Sequence, residues 1–188
     1  MTRVLAHVVG VDDGPFEGGS RGDVPFVAAV CAATRLDGVL VGALRKDGAN
    51  ATERIARLLS GSRFARHLQL VMLQGIALGG FNVVDLQRLS SLLGLPVLAV
   101  ARRRPDLAAI RSALLEHVPG GGRKWRLIEK AGPMEKNGGV WVQRAGLTPA
   151  EAGEALRRTT TMGNLPEPLR LAHLVAGALV TGESRGRP

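Results

Sequence analysis

Three apolar, strand-like runs precede the first segment with a helical period, and only after them do strands and helices alternate. This order of periodicities constrains the fold more than any other feature of the chain. Residues 4–11 form an apolar run that stops at Asp12-Asp13-Gly14-Pro15, a strand entering a turn. Residues 25–34 and 39–44 are two more runs, joined by Arg35-Leu36-Asp37-Gly38, and Asp-Gly between apolar runs predicts a hairpin turn. Past Asp47-Gly48 the period lengthens. Ile55, Leu58 and Leu59 share one helical face behind Asn50 and Thr52, either of which is a capping type. Residues 68–76 then predict a buried strand, Gly79-Gly80 a turn, and residues 83–93 a helix ended by Gly94. A strand over 96–101 and a helix over 105–118 follow, so the later strands are expected to run parallel. Gly120-Gly121-Gly122 predicts a flexible break, and residues 125–128 and 140–143 a pair of short strands. Thr148, Pro149 and Glu151 open a helix, and residues 166–179 form the last one.

This order is that of an α/β, ribonuclease H-like fold: three leading antiparallel strands, then parallel strands, with helices on both faces. Rossmann-like folds compete with it but do not usually begin with a three-stranded meander. A chain of 188 residues holds one such core, so residues 1–181 are expected to be a single domain and 182–188 a flexible tail. With 45% hydrophobic residues, burial offsets the ordering entropy and wholesale disorder is excluded. The lone Cys31 makes an intramolecular disulfide impossible and is read as buried in a strand. No apolar run reaches the roughly 18 residues of a membrane span, so a cytoplasmic protein without a membrane partner is expected.

A formal net charge of +9, carried mostly by arginine, favours a polyanionic partner such as nucleic acid; an arginine-rich genome accounts for it equally well. Aromatic residues make up 3% of the chain and Tyr is absent, which disfavours a single-strand binder that stacks base after base. Asp12 and Asp13, ending the first strand, are candidate ligands for a hard cation, Mg²⁺ or Mn²⁺, or else ordinary turn residues. Gly79 and Gly80 leave amides bare ahead of a helix, where a phosphate fits; alternatively Asn82 caps that helix with Asp85 at its third position. Arg102, Arg103 and Arg104 follow a buried strand at its carboxyl end, and Arg123, Lys124, Arg126 and Lys130 flank Trp125. Both stretches suit a phosphate chain, or a solvated surface. His173, amid Leu171, Ala172 and Leu174, is by its neighbours a packed residue of the last helix.

Taken together, Val9-Gly10-Val11-Asp12-Asp13-Gly14-Pro15-Phe16, Leu36-Asp37-Gly38, Gly75-Ile76 with Gly80-Phe81-Asn82-Val83-Val84-Asp85, Leu95-Pro96-Val97 and Gly163-Asn164-Leu165-Pro166-Glu167-Pro168-Leu169-Arg170-Leu171-Ala172-His173 resemble the endonuclease dU family, related to endonuclease V. The resemblance spans nearly the whole chain. It implies a Mg²⁺- or Mn²⁺-dependent endonuclease that cuts near a deaminated base, deoxyuridine or similar, in nucleic acid, with DNA the expected partner and RNA left open. By motif, Asp12 becomes the first metal-binding acid and His173 the histidine of the final helix, while Arg102 falls where endonuclease V keeps a lysine. Asp13 and Asp85 are the assisting acids. Gln74, at the end of the strand over 68–76, and Asn50 stand where the resemblance implies aspartates, and Gln74 would then be a neutral metal ligand. Gly79, Gly80, Asn82, Arg102, Arg103, Arg104, Lys124, Arg126 and Arg170 are the expected nucleic-acid contacts. A second expectation keeps the fold and the basic face but not the chemistry: a catalytically degenerate nucleic-acid-binding protein.

Overall fold

The computed structural model describes residues 4–18 and 22–184. In chain order the elements are β1 (His7–Asp13), β2 (Asp23–Ala32), β3 (Arg35–Arg45), α1 (Ala51–Ser60), β4 (Leu70–Gln74), β5 (Ala77–Leu78), β6 (Asn82–Val83), α2 (Leu86–Leu93), β7 (Val97–Ala101), α3 (Leu107–His117), α4 (Gly121–Lys130), β8 (Glu135–Asn137), β9 (Val140–Ala145), α5 (Pro149–Thr159) and α6 (Glu167–Thr181). Seven strands form one sheet in the order β3-β2-β1-β4-β7-β9-β8. β1, β2 and β3 pair antiparallel, β4 and β7 join parallel to β1, and β9 and β8 close the far edge antiparallel. This is the ribonuclease H-like α/β arrangement. β1 is central and buried from Val8 to Asp12, which is why its sequence reads as a continuous apolar run rather than an alternation.

The strand period of two sends Val9 and Val11 to one face, where they meet Ile55 and Leu59 of α1 and Leu86 and Leu89 of α2. Val8, Gly10 and Asp12 face the opposite side, covered by α5 and α6 through Ala152, Ala155 and Leu169. Gly10 has a specific task there. A β-carbon on it would lie 2.2 Å from the carbonyl carbon of Pro168, so the first turn of α6 rests directly on the backbone of β1. α5 carries the expected Thr148–Glu151 capping box behind Pro149.

Four local expectations are corrected. The β2–β3 turn lies at Ala33-Thr34, with Ala33 left-handed (φ 54°). Gly38 is instead inside β3, because the Phe64 ring occupies the space of its missing side chain, and Asp37 is the extra residue of a bulge opposite Val30 and Cys31. α2 begins at Leu86 with Asp85, not Asn82, as its cap. Residues 125–128 lie within α4 rather than in a strand, and β9 pairs with β8. The glycine run does break the chain at Gly120 (φ 71°), but Gly121 then starts the helix, where a β-carbon would strike the Leu114 carbonyl. α6 ends at a left-handed Gly182. Of the expected tail, residues 185–188 lie outside the described residues. No described helix is long and apolar enough to cross a membrane.

Candidate active site

Asp12 sits at the last inward-facing position of β1, 5% exposed, because the α6 face of the sheet closes over it. Since α6 rests on Gly10, its second turn brings His173 within reach, and Nδ1 donates to Asp12 Oδ2 at 2.8 Å. The other carboxylate oxygen, Oδ1, accepts from the Asp13 amide at 3.0 Å. Burial pushes the Asp12 carboxyl above its ordinary range, opposed by the His173 hydrogen bond and charge and by the charge of Arg102. In turn the hydrogen bond to Asp12 raises the imidazole of His173 against its own partial burial.

The parallel register of β1 with β4 pairs Val11 with Leu73, so Gln74 ends its strand beside Asp12. Its Oε1 is buried and, among the described residues, receives no hydrogen bond. An acceptor left without a donor is costly unless something electropositive meets it. Asp12, Asp13, Gln74 and His173 line a cavity of about 690 Å³ whose outer wall comes from Pro15, Phe16, Gly177 and Thr181. Pro15 and Phe16 belong to the opening motif but have no role assigned by it, and Gly177 and Thr181 carry no recognisable motif. Gly10, which the packing makes decisive, did have a signal: a lone glycine inside a β-branched run marks close backbone approach.

Asp13 lines the same cavity. Burial, then the charge of Asp12, pushes its carboxyl up to about 6, opposed by the Gly79 amide. The folded chain therefore holds this proton more tightly than the unfolded chain. Stability from this group is full below the ordinary value of 3.8 and is lost as pH rises through about 6, a difference of roughly 3 kcal/mol. Asp13→Asn is accordingly expected to melt several degrees above the parent at pH 8 without metal, and the gain should vanish near pH 4. Melting curves across that range check it; a variant less stable than the parent at high pH contradicts the burial account.

Other predicted residues are placed elsewhere. Asp85 is not gathered with Asp12. It accepts from the Arg88 amide at the start of α2 and pairs with Lys130 at 2.7 Å, which holds its carboxyl low despite burial. It borders a separate cavity of about 230 Å³ with Thr52, Glu53 and Lys124. Asn82 is wholly buried and staples three segments: Nδ2 donates to the Arg45 carbonyl and to Asn50 Oδ1, and Oδ1 accepts from Ala51 N. Asn50 belongs to this staple, away from the Asp12 cavity. Lys124 is buried, its ammonium donating to the Asp47 carbonyl and pushed below the usual lysine range by that burial, so no phosphate meets it at the surface. Arg170 is held by Glu167 at 2.7 Å. Gly79 and Gly80 form the β5–β6 turn with positive φ. The Gly79 amide serves Asp13, and Asp47 packs where a Gly80 side chain would lie while accepting from Phe81 N. Arg102 lies at the carboxyl end of β7, close enough for its charge to act on Asp12 and His173. Arg103, Arg104 and Arg126 are exposed, with Arg104 5.3 Å from the ring centre of Trp141.

Residues 5–180 match the family described as Endonuclease dU. A UPF0215 protein of Deinococcus radiodurans is 56% identical over 183 residues, covering 97% of this chain and 93% of that one. Among solved structures, a protein of unknown function from Archaeoglobus fulgidus superposes with a TM-score of 0.87 at 34% identity, over 94% of this chain and 99% of that one. Ciona intestinalis endonuclease V, crystallised with a 24mer DNA containing an inosine followed by a ribo-adenosine, superposes with a TM-score of 0.55 at 12% identity. It shares 89% of this chain and 83% of its own, a likeness of fold.

Proposed function

We propose that this chain, which belongs to the endonuclease dU family, is a metal-dependent endonuclease of DNA repair that cuts a phosphodiester near a deaminated base, deoxyuridine or similar, in the cytoplasm. One observation carries the reading: a buried carboxylate paired with a histidine beside a buried amide oxygen that lacks a donor. Among the described residues no three His, Cys, Asp or Glu side chains gather as a metal site. The oxygens lining the cavity nevertheless fit a hard divalent cation. Asp12 and Asp13 bring carboxylates and Gln74 Oε1 brings the free acceptor. Mg²⁺ or Mn²⁺ held there supplies Lewis acidity toward a phosphate and an activated water.

The remaining roles fall to the chain's own groups. Asp12 orients the imidazole through Nδ1, which leaves Nε2 of this cavity-lining residue to donate to a phosphate oxygen or position a water. The raised imidazole keeps more of its positive form near neutral pH. Arg102 stands where a phosphate entering the cavity would meet a fixed charge, with Arg103 and Arg126 as further backbone contacts. A damaged base costs less to extrude than a paired one, and Phe16 in the cavity wall offers it one ring face.

Gln74 favours a second reading, a nucleic-acid-binding protein without cleavage, since an amide adds no charge to hold the ion. Nicking of uracil- and inosine-containing strands with Mg²⁺ or Mn²⁺, against chelator, separates the two. The nuclease reading expects product only with metal, and more of it from Gln74→Asp at limiting metal. An inert natural chain beside a cutting Gln74→Asp variant means a degenerate site. If neither cuts but both bind, the nuclease reading is abandoned.

A further inference from the structure

β3 is the terminal strand of the sheet and is 11 residues long. Lys46 N donates to the Gly22 carbonyl, toward β2, so the alternation of strand hydrogen bonds turns the backbone groups of Arg45, Ala43, Val41 and Val39 away from β2. At Arg45 those groups are occupied: Asn50 Oδ1 accepts from its amide and Asn82 Nδ2 donates to its carbonyl. The fold closes the edge at that end and at the Asp37 bulge. Between them, no described residue is hydrogen-bonded to the outward backbone groups of Val39, Val41 and Ala43, and Val39 is 36% and Val41 52% exposed. Soluble proteins blunt such edges with lysine, proline or short strands, and none of these occurs from Gly38 to Leu44.

We infer that this edge pairs with a second copy of the chain, antiparallel, about a twofold axis at Val41. Charge selects both the partner and the register. Centred on Val41, the pairing sets Val39 opposite the partner's Ala43 and, just past each end of the ladder, brings the Asp37 side chain toward the partner's Arg45, an opposite-charge pair repeated at each end. Centred one residue earlier, on Leu40, it would set Val39 opposite the partner's Val41 and turn Asp37 toward the partner's Ala43, which loses the charge pair. Asp37 already faces Arg35 at 2.8 Å and Arg45 faces Asp23 at 3.4 Å, so the Val41 register extends each pair into an alternating row of charge. The strand thus complements itself in one register, and dimerisation would cover its apolar middle.

Sedimentation velocity on the full chain tests the inference, with a species of twice 19.8 kDa expected. Val41→Lys, which opposes two ammonium groups on the axis, should weaken association at least about tenfold. Arg45→Asp should weaken it as well, and Asp37→Arg with Arg45→Asp should restore it. Under oxidation Val41→Cys should form a covalent dimer while Val39→Cys should not. Circular dichroism confirms that each variant is folded, and all should nick DNA as the parent does. A chain that stays monomeric across the concentration range overturns the proposal and leaves the edge to an extended segment of another protein. A dimer unaffected by Val41→Lys places the interface elsewhere, and cross-linking through Val39→Cys alone overturns the register.

Discussion

Asp12→Ala is expected to slow metal-dependent strand scission by roughly two to four orders of magnitude. Two losses combine at one atom group. The cavity gives up its most buried carboxylate, and His173 loses the acceptor that fixes Nδ1 and raises its imidazole. The same change should leave the metal-free fold as stable as before or more so. Burial works against this carboxylate, so the native fold holds an ion it would sooner see neutral. Single-turnover nicking beside thermal melts at neutral pH reads both effects. Asp12→Asn keeps a hydrogen-bond acceptor for His173 and should lose cleavage while the histidine stays in place. Undiminished cleavage by Asp12→Ala would remove Asp12 from the chemistry altogether.

Gly10→Ala is the structural counterpart, expected to destabilise the chain by about 3 kcal/mol or more, at the upper end of overpacking effects. The new methyl would lie 2.2 Å from the carbonyl carbon of Pro168 and 2.6 Å from the Leu169 amide nitrogen. Both are backbone atoms of the first turn of α6, so no side chain can rotate away. α6 must lift from β1. In a domain of this size that corresponds to a fall of about 6–12 °C in melting temperature. Because α6 also carries His173, the imidazole should separate from Asp12 and titrate nearer its ordinary value, which NMR of the histidine ring protons measures. A Gly10→Ala protein that melts with the parent would mean that the helix is not seated as described.

The order of strands and helices was legible because it depends on local pattern: three short apolar runs bounded by turns, then alternation of such runs with helical faces. Errors arose where a residue type serves packing rather than turning. Asp37-Gly38 resembles a hairpin turn, yet Gly38 is there to admit Phe64, and Gly121 admits the Leu114 carbonyl. At the site, Asp12 could be singled out from its strand end, whereas Gln74 and His173 were singled out only through the family resemblance, since the neighbours of His173 by themselves read as packing. Asp85 and Lys124 could not be sorted, since their partners are remote: Lys130 lies 45 residues from Asp85, and Asp47 lies 77 from Lys124. Whether a charge faces solvent or a carbonyl of another segment is decided by packing, to which local periodicity is blind.

The Asp12–His173 hydrogen bond spans 161 positions of the chain. The aspartate of the opening strand is therefore synthesised 161 residues ahead of the imidazole that meets it. A fragment that lacks α6 still has the strands of the sheet but no imidazole to set against Asp12.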